Sequence, residues 1–140
     1  MQQKRSLQIG QIYTMRFNGE GNVQSGLRPG LVFQNNVGNR FSPNIIALPL
    51  TSALKKINMP THVLLPSDST GLYRDSVVLC ENPTCLPKEN VGDYITTLPA
   101  SFMKEIAIAS LLATSAISFV PKETLSALWD SAATLNKINA

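Results

Sequence analysis

The hydrophobic residues of this chain change their spacing near residue 100, and that change limits the folds open to it. Before that point the apolar residues form short runs, separated by breaks rich in Gly, Pro and Asn. Such runs are typical of short β-strands. From Ser101 onward, apolar residues such as Phe102, Ile106, Ala109 and Ala113 recur at helical spacing. We therefore predict a mainly β protein, a small and strongly curved sheet or barrel with helices at one end.

Six segments of the chain have the strand pattern, and two connections between them are rich in turn-forming residues. The predicted strands are residues 11–17, 30–34, 44–50, 61–65, 76–80 and 94–98. Residues 18–27, with three glycines, are predicted to form a mobile loop. Residues 35–43 are predicted to form a turn-rich hairpin connection.

Two helices are predicted to follow the strands. Residues 106–120 carry no charge, which predicts a buried helix that is shorter than a membrane span. Pro121 suits the first position of a second helix. The apolar stripe of that helix would consist of Leu125, Leu128, Trp129, Ala132 and Leu135. We expect residues 1–120 to form one domain and residues 121–140 an additional helix packed on the same domain.

Charge is distributed unevenly along the chain. Residues 1–74 hold eight basic and two acidic residues, a net charge of +6, whereas residues 75–140 hold four basic and seven acidic residues, a net charge of −3. The first half therefore suits an anionic partner, although a fully solvated surface could carry the same asymmetry. Cys80 and Cys85 do not make a disulfide framework, and the N-terminus lacks a signal-peptide pattern, so we expect a cytoplasmic protein with reduced thiols.

The chain offers little for metal or histidine catalysis. His62 is the only histidine, and Asp68, Asp75 and Glu81 lack the spacing of metal ligands. A Ser-His-Asp site would need His62 as its base, and no Gly-x-Ser-x-Gly motif accompanies it. We interpret His62 as packed or hydrogen-bonded at a strand edge, and we expect no metal and no cofactor.

A cation and a hydroxyl at the ends of two predicted strands form the candidate catalytic site. Arg28, in Gly26-Leu27-Arg28-Pro29, precedes one strand, and Thr51 follows the next. If those strands pair, the two side chains meet at one rim of the sheet. The guanidinium offers a fixed fork of donors that matches phosphate oxygens. The alternative is that Arg28 belongs to a surface turn and Thr51 to a helix cap.

Four segments of the chain match one known family in order and at the family's spacing. They are Gly26-Leu27-Arg28-Pro29, residues 34–43 (QNNVGNRFSP), residues 59–63 (MPTHV) and residues 74–79 (RDSVVL). With these segments the chain closely resembles the MazF/PemK family of toxin endoribonucleases from bacterial toxin–antitoxin pairs, from about Gly10 to Ser118. The resemblance implies a compact SH3-like β-barrel with a C-terminal helix, which forms a homodimer.

The resemblance also implies a function. Family members cut single-stranded RNA at short motifs without a metal, by attack of a ribose 2′-hydroxyl that leaves a 2′,3′-cyclic phosphate and a 5′-hydroxyl. The family's catalytic arginine falls on Arg28 and its catalytic threonine on Thr51. A MazE-like antitoxin with an acidic, initially disordered tail is the implied inhibitor, and operator DNA is an implied ligand of the toxin–antitoxin complex; no membrane partner is expected. The candidate substrate-binding residues are Asn22, Gln24, Pro29, Asn36, Ser52, Lys55, Lys56 and Asn82.

Two segments depart from the family pattern. Gly21-Asn22-Val23-Gln24 stands where the family commonly has Gly-Ser-Glu-Gln, so a serine and a carboxylate are missing. Asn82-Pro83-Thr84-Cys85 stands where the family often has Gln-Ile-Arg-Thr. These changes leave open a catalytically degenerate barrel that binds an antitoxin or nucleic acid. A gyrase-poisoning relative of the barrel is a weaker alternative, because Arg28 and Thr51 point to RNA.

Overall fold

In the part of the chain that the structure describes, seven strands, two short helices between them and two longer helices after them form the fold. The computed structural model describes residues 6–19, 25–54 and 58–137. The strands are β1 (Gln11–Asn18), β2 (Ser25–Val32), β3 (Asn44–Thr51), β4 (His62–Leu65), β5 (Ser76–Leu79), β6 (Thr84–Pro87) and β7 (Val91–Thr97). The helices are α1 (Asn36–Phe41), α2 (Ser67–Thr70), α3 (Ala100–Thr114) and α4 (Leu125–Lys137). The predicted mainly β fold with C-terminal helices is confirmed.

The strands form one antiparallel sheet in the order β4-β5-β3-β2-β1-β7, with β6 paired to β3 beside this path. β3 is the strand that connects its parts. Its first half pairs with β6 and its centre with β2, whereas its last residues, Leu50 and Thr51, pair with β5. Over the described residues no pairing joins β4 to β7, so the sheet predicted as a barrel is open between those strands.

The sheet is buried on both faces. One cluster of buried side chains contains Ile12, Leu31 and Leu48 together with Ile106 of α3. Their immediate neighbours along the strands, Tyr13, Val32 and Ala47, belong to a second cluster with Met15 and Phe17. Successive side chains of a strand point to opposite faces of a sheet. The alternation therefore assigns one cluster to each face and leaves the strand ends to form surface sites.

Residues 35–43, predicted as a turn-rich hairpin connection, do join the antiparallel strands β2 and β3, but they contain α1. The side chain of Asn35 caps this helix by accepting a hydrogen bond of 2.9 Å from the Gly38 amide. The helix was not predicted because it is only six residues long and shows no apolar periodicity. Two strand assignments also change. β2 begins at Ser25, inside the segment predicted as a mobile loop, and β6 forms beyond Pro83, where no strand was predicted.

The uncharged segment 106–120 is not one buried helix. α3 ends at Thr114, Ser115 adopts a left-handed conformation (φ 56°), and a short 3-10 turn follows. Only Ile106 and Ala109 of α3 are buried, and Phe119 is 86% exposed. The absence of charge did not predict burial, because the apolar side chains are spread around the helix rather than along one face. Within the described residues, no helix has both the length and the hydropathy of a membrane span.

The second C-terminal helix forms where it was predicted, after Pro121. A 3-10 turn leads into α4, which contacts α1 through Asn136. The predicted apolar stripe of α4 lies on its surface, with Leu128 49% and Trp129 73% exposed. The helix is therefore held at its C-terminal end by polar contacts rather than by burial of its stripe.

Candidate active site

A cleft of about 400 Å³ opens beside the end of β3. The residues that line it include apolar side chains, hydroxyl-bearing residues, a tyrosine and two arginines, and no acidic residue is among the described lining. The lining residues are Arg28, Pro29, Leu50, Thr51, Ser52, Ala53, Leu72, Tyr73, Arg74, Ser76 and Ile95. A concave surface with cations and without carboxylates attracts anions.

The register of β2 and β3 explains why Arg28 and Thr51 share this cleft. Gly30 of β2 pairs with Pro49 of β3 in the last pair of their ladder. Continued by two residues, the same register would bring Arg28 and Thr51 to the same side of the sheet. Thr51 pairs with Val77 of β5, which lies along the opposite edge of β3 from β2. The pairing of β2 with β3 ends before Arg28 and Thr51, and both residues line the cleft.

Arg28 and Thr51 are both half-buried and both lie on paired strands. Arg28 is opposite Met15 of β1, a fully buried core residue. Gly26, the second residue of β2, has a positive φ of 84° and lies two residues before Arg28. The Oγ1 of Thr51 accepts a hydrogen bond of 3.1 Å from the Ala53 amide, which fixes the hydroxyl while leaving its proton to be donated. Together the two residues offer hydrogen-bond donors to one bound anion.

The segment between α2 and β5 supplies an aromatic ring and a second cation to the cleft. Leu72 is buried, whereas Tyr73 is 94% exposed and Arg74 is exposed. The Oδ1 of Asp75 accepts a hydrogen bond of 2.8 Å from the Ser67 amide, and this bond lowers the pKa of the Asp75 carboxyl. Arg74 was not predicted as a site residue; it was named only within a segment that matches the family. Its position just before a buried strand was the signal that could have identified it.

Two of the predicted substrate-binding residues, Pro29 and Ser52, line the cleft. Asn36 does not. It is 4% exposed, its Oδ1 accepts hydrogen bonds from the Ile9 amide and from the Asn39 side chain, and its Nδ2 donates to the Asn136 carbonyl.

Asn82 also lies outside the cleft lining. It sits in the turn after β5, where its amide donates to the Leu79 carbonyl and its carbonyl accepts from the Thr84 hydroxyl. The remaining four candidates, Asn22, Gln24, Lys55 and Lys56, fall outside the described residues.

His62 has the place that the sequence indicated. It is the first residue of β4, and its Nε2 lies 2.7 Å from Oε1 of Glu81. The interpretation of a hydrogen-bonded histidine at a strand edge is confirmed. In the described part of the chain, no three His, Cys, Asp or Glu side chains are grouped as metal ligands would be. Burial raises the pKa of the Cys80 thiol to about 11.

Several known proteins are similar to this chain over most of its length. The model of the PemK-like, MazF-like toxins of type II toxin–antitoxin systems matches residues 8–112. Endoribonuclease EndoA of Bacillus subtilis (strain 168) is 38% identical over 99 residues, which are 71% of this chain and 85% of that protein. Endoribonuclease MazF of Staphylococcus saprophyticus is 36% identical over 87 residues, which are 62% of this chain and 72% of that protein.

Solved structures agree with these sequence matches. An endoribonuclease from a Mycobacterial species, solved in complex with its cognate antitoxin, superposes with a TM-score of 0.66 at 26% identity over 79% of this chain and 96% of that one. MazF from Deinococcus radiodurans gives a TM-score of 0.70 over 80% of this chain and 99% of that one; at 23% identity it shows the fold alone. The match to three quarters of the sequence and the identity to EndoA lead to one conclusion: the chain belongs to the family of PemK-like, MazF-like toxins of type II toxin–antitoxin systems.

Proposed function

We propose that this protein is a toxin endoribonuclease that cleaves single-stranded RNA at a short sequence motif and is inhibited by a cognate antitoxin. Family membership and the endoribonuclease relatives support the activity. The observation that carries the proposal is the shared cleft of Arg28 and Thr51, where a guanidinium and a hydroxyl adjoin a second guanidinium and no carboxylate among the described lining residues. That combination suits a phosphodiester.

The proposed reaction is an internal transfer that uses the RNA's own nucleophile. The ribose 2′-hydroxyl oxygen bonds to the adjacent phosphorus, the bond to the 5′-oxygen of the next nucleotide breaks, and that oxygen leaves with a proton. The products are a 2′,3′-cyclic phosphate and a 5′-hydroxyl. This chemistry needs charge stabilisation and proton transfer, and it draws on no cofactor.

Arg28 and Thr51 have separate roles in this proposal. Negative charge builds up on the non-bridging oxygens in the transition state, and preorganised donors stabilise it, each contributing about 2.7–4 kcal/mol. Because a guanidinium stays protonated in proteins, we assign Arg28 to charge stabilisation and to hydrogen bonding at the leaving oxygen rather than to the general base. Thr51 orients the phosphate.

The antitoxin is the second partner in the proposal. A relative from a Mycobacterial species was solved with its cognate antitoxin. A MazE-like antitoxin with an acidic tail would suit the cations of the cleft and compete with RNA for them. Homodimer formation, binding of operator DNA through the toxin–antitoxin complex and action in the cytoplasm complete the proposal, and they rest on family membership.

A binding module without catalysis is the second candidate function. The segment Asn82-Pro83-Thr84-Cys85, which lacks the long amide side chain and the cation common in the family, favours it. It would hold RNA or an antitoxin in the same cleft without cutting. The two candidates differ only in turnover, so one assay separates them.

The test is RNA cleavage by the purified protein in the presence of EDTA. We expect defined fragments with 2′,3′-cyclic phosphate and 5′-hydroxyl ends, identified by sequencing of the fragment ends. Arg28→Ala should reduce the cleavage rate by roughly 100- to 1,000-fold, the effect of removing one transition-state donor, and Thr51→Val should reduce it as well. Arg40→Ala, which removes an exposed arginine on α1 outside the cleft, is the matched control.

Two outcomes would contradict the proposal. Full cleavage by Arg28→Ala would remove this arginine from the mechanism. RNA binding by the wild-type protein without any cleavage would establish the binding module instead.

A further inference from the structure

We infer that Tyr73 is a stacking platform for one unpaired RNA base beside the phosphate held at Arg28 and Thr51. The inference rests on the proposed function and adds to it a residue that would decide which strand conformation the cleft accepts. Tyr73 is 94% exposed, although it lines the cleft. In the sequence it follows a buried leucine and precedes an arginine of the same cleft. A large aromatic ring left in water at a binding site is available to a ligand.

The backbone that carries Tyr73 is firmly held on its N-terminal side. Gly71 has a positive φ of 82°, and a Cβ at this position would come within 2.7 Å of Oγ1 of Thr96. That Oγ1 donates a hydrogen bond of 2.8 Å to the Thr70 carbonyl. Leu72 is inserted into the core. The chain is therefore packed closely against β7 immediately before the ring.

The C-terminal side of Tyr73 is held by hydrogen bonds. The hydroxyl of Ser76 donates to the Arg74 carbonyl over 3.0 Å, and Oδ1 of Asp75 accepts from the Ser67 amide over 2.8 Å. An aromatic ring on such an ordered segment loses little conformational entropy when a ligand covers it. Tyr73 is thus presented to the cleft rather than left at the end of a loose loop.

The surroundings of the ring favour a nucleic-acid base over other occupants. Arg28 and Arg74 line the same cleft, and the described lining contains no carboxylate. Proteins that bind single strands combine cations for the backbone with aromatic rings on which bases stack. A base in a duplex already stacks on its neighbours and offers no free face to the ring. Tyr73 therefore selects single-stranded RNA with a base turned out next to the scissile phosphate.

The experiment measures binding separately from cleavage. The probe is a short single-stranded RNA whose ribose 2′-hydroxyls are replaced by fluorine, which removes the attacking group, and affinity is measured by fluorescence anisotropy. We expect Tyr73→Ala to weaken binding by roughly 5- to 100-fold, the range found when a stacking aromatic is removed. Tyr73→Phe, which keeps the ring, should restore most of that loss. Phe119→Ala, which removes an 86% exposed ring outside the cleft, is the control that should bind like the wild type.

The outcomes separate this inference from the proposed function. If Tyr73→Ala binds the fluorinated RNA like the wild type, or weakens binding of the antitoxin only, stacking is overturned even where Arg28→Ala abolishes cleavage. Equal loss of affinity for a duplex and for a single strand would overturn it as well. If the wild-type protein cuts no RNA but its binding still depends on the ring at position 73, stacking stands and the catalytic proposal fails.

Discussion

Arg28 and Arg74, the cations of the described cleft lining, are carried by backbone that the fold holds in place. Arg28 lies inside β2 opposite the buried Met15, and the carbonyl of Arg74 accepts a hydrogen bond from Ser76. Donors fixed in advance need no reorganisation when charge develops on a phosphate. A residue that stabilises a transition state must have this property, and Arg28 has it because it belongs to a strand rather than to a loop.

We expect the hydrogen bond between the Ser67 amide and the Asp75 carboxylate, next to Tyr73 and Arg74 in the chain, to depend on pH. Hydrogen bonds from Ser67 lower the pKa of Asp75 below its ordinary value of 3.8. The folded state therefore favours the ionised carboxylate, and the stabilisation is present above pH 3.8 and lost as the pH falls through the lowered pKa. We expect the Ser67 amide resonance to shift in an NMR titration at that acidic end. A Ser67 resonance that is insensitive to pH there, or unchanged in Asp75→Ala, would contradict this assignment.

At the scale of elements, the spacing of apolar residues predicted which helices and strands form. It was less successful in predicting which surfaces of those elements are buried. α4 forms after Pro121 as predicted, but its apolar stripe remains exposed and the helix is held through Asn136, which meets Asn36 across 100 residues of sequence. Periodicity shows which side chains share a face, whereas the covering surface depends on contacts between distant residues. The prediction of Asn36 as a substrate-binding residue failed to anticipate its burial for the same reason. Its hydrogen-bond partners Ile9 and Asn136 are distant in sequence and could not be inferred from neighbouring positions. That residues 121–140 belong to the same domain as residues 1–120 stays a prediction.

Substitution of Asn36 tests its structural role. Asn36→Ala removes the acceptor of the Ile9 amide and of the Asn39 side chain and leaves these groups unsatisfied. We expect the free energy of unfolding to fall by about 1–3 kcal/mol, measured by urea denaturation, while the RNA affinity of the folded variant stays unchanged. Asn136→Ala, which removes one side-chain bond to the Asn36 amide, should cost less. Weaker RNA binding at unchanged stability would instead return Asn36 to the substrate site.

At the scale of the whole molecule, the described lining of the cleft reflects the charge asymmetry of the sequence in part. Arg28 and Arg74, the cations of the described cleft lining, both belong to the basic first half of the chain, whereas α3 and α4 lie in the acidic second half. Composition thus indicated which half supplies the arginines of the described cleft lining. It could not show that Ser76 and Ile95 of the second half complete the cleft, because strand order brings them there and composition carries no information about strand order.

The salt dependence of RNA binding distinguishes a direct contact between Arg74 and a phosphate from attraction by the overall charge of the protein. Each phosphate neutralised on a single strand adds about 0.7 to the negative slope of log affinity against log salt concentration. Arg74→Gln should therefore reduce the magnitude of that slope by about 0.7, measured with the fluorinated single strand over a series of salt concentrations. Arg40→Gln makes the same change of net charge on α1, outside the cleft, and should leave the slope close to that of the wild type. Equal reductions by both variants would mean that the molecule attracts RNA through its overall charge, with no phosphate held at Arg74.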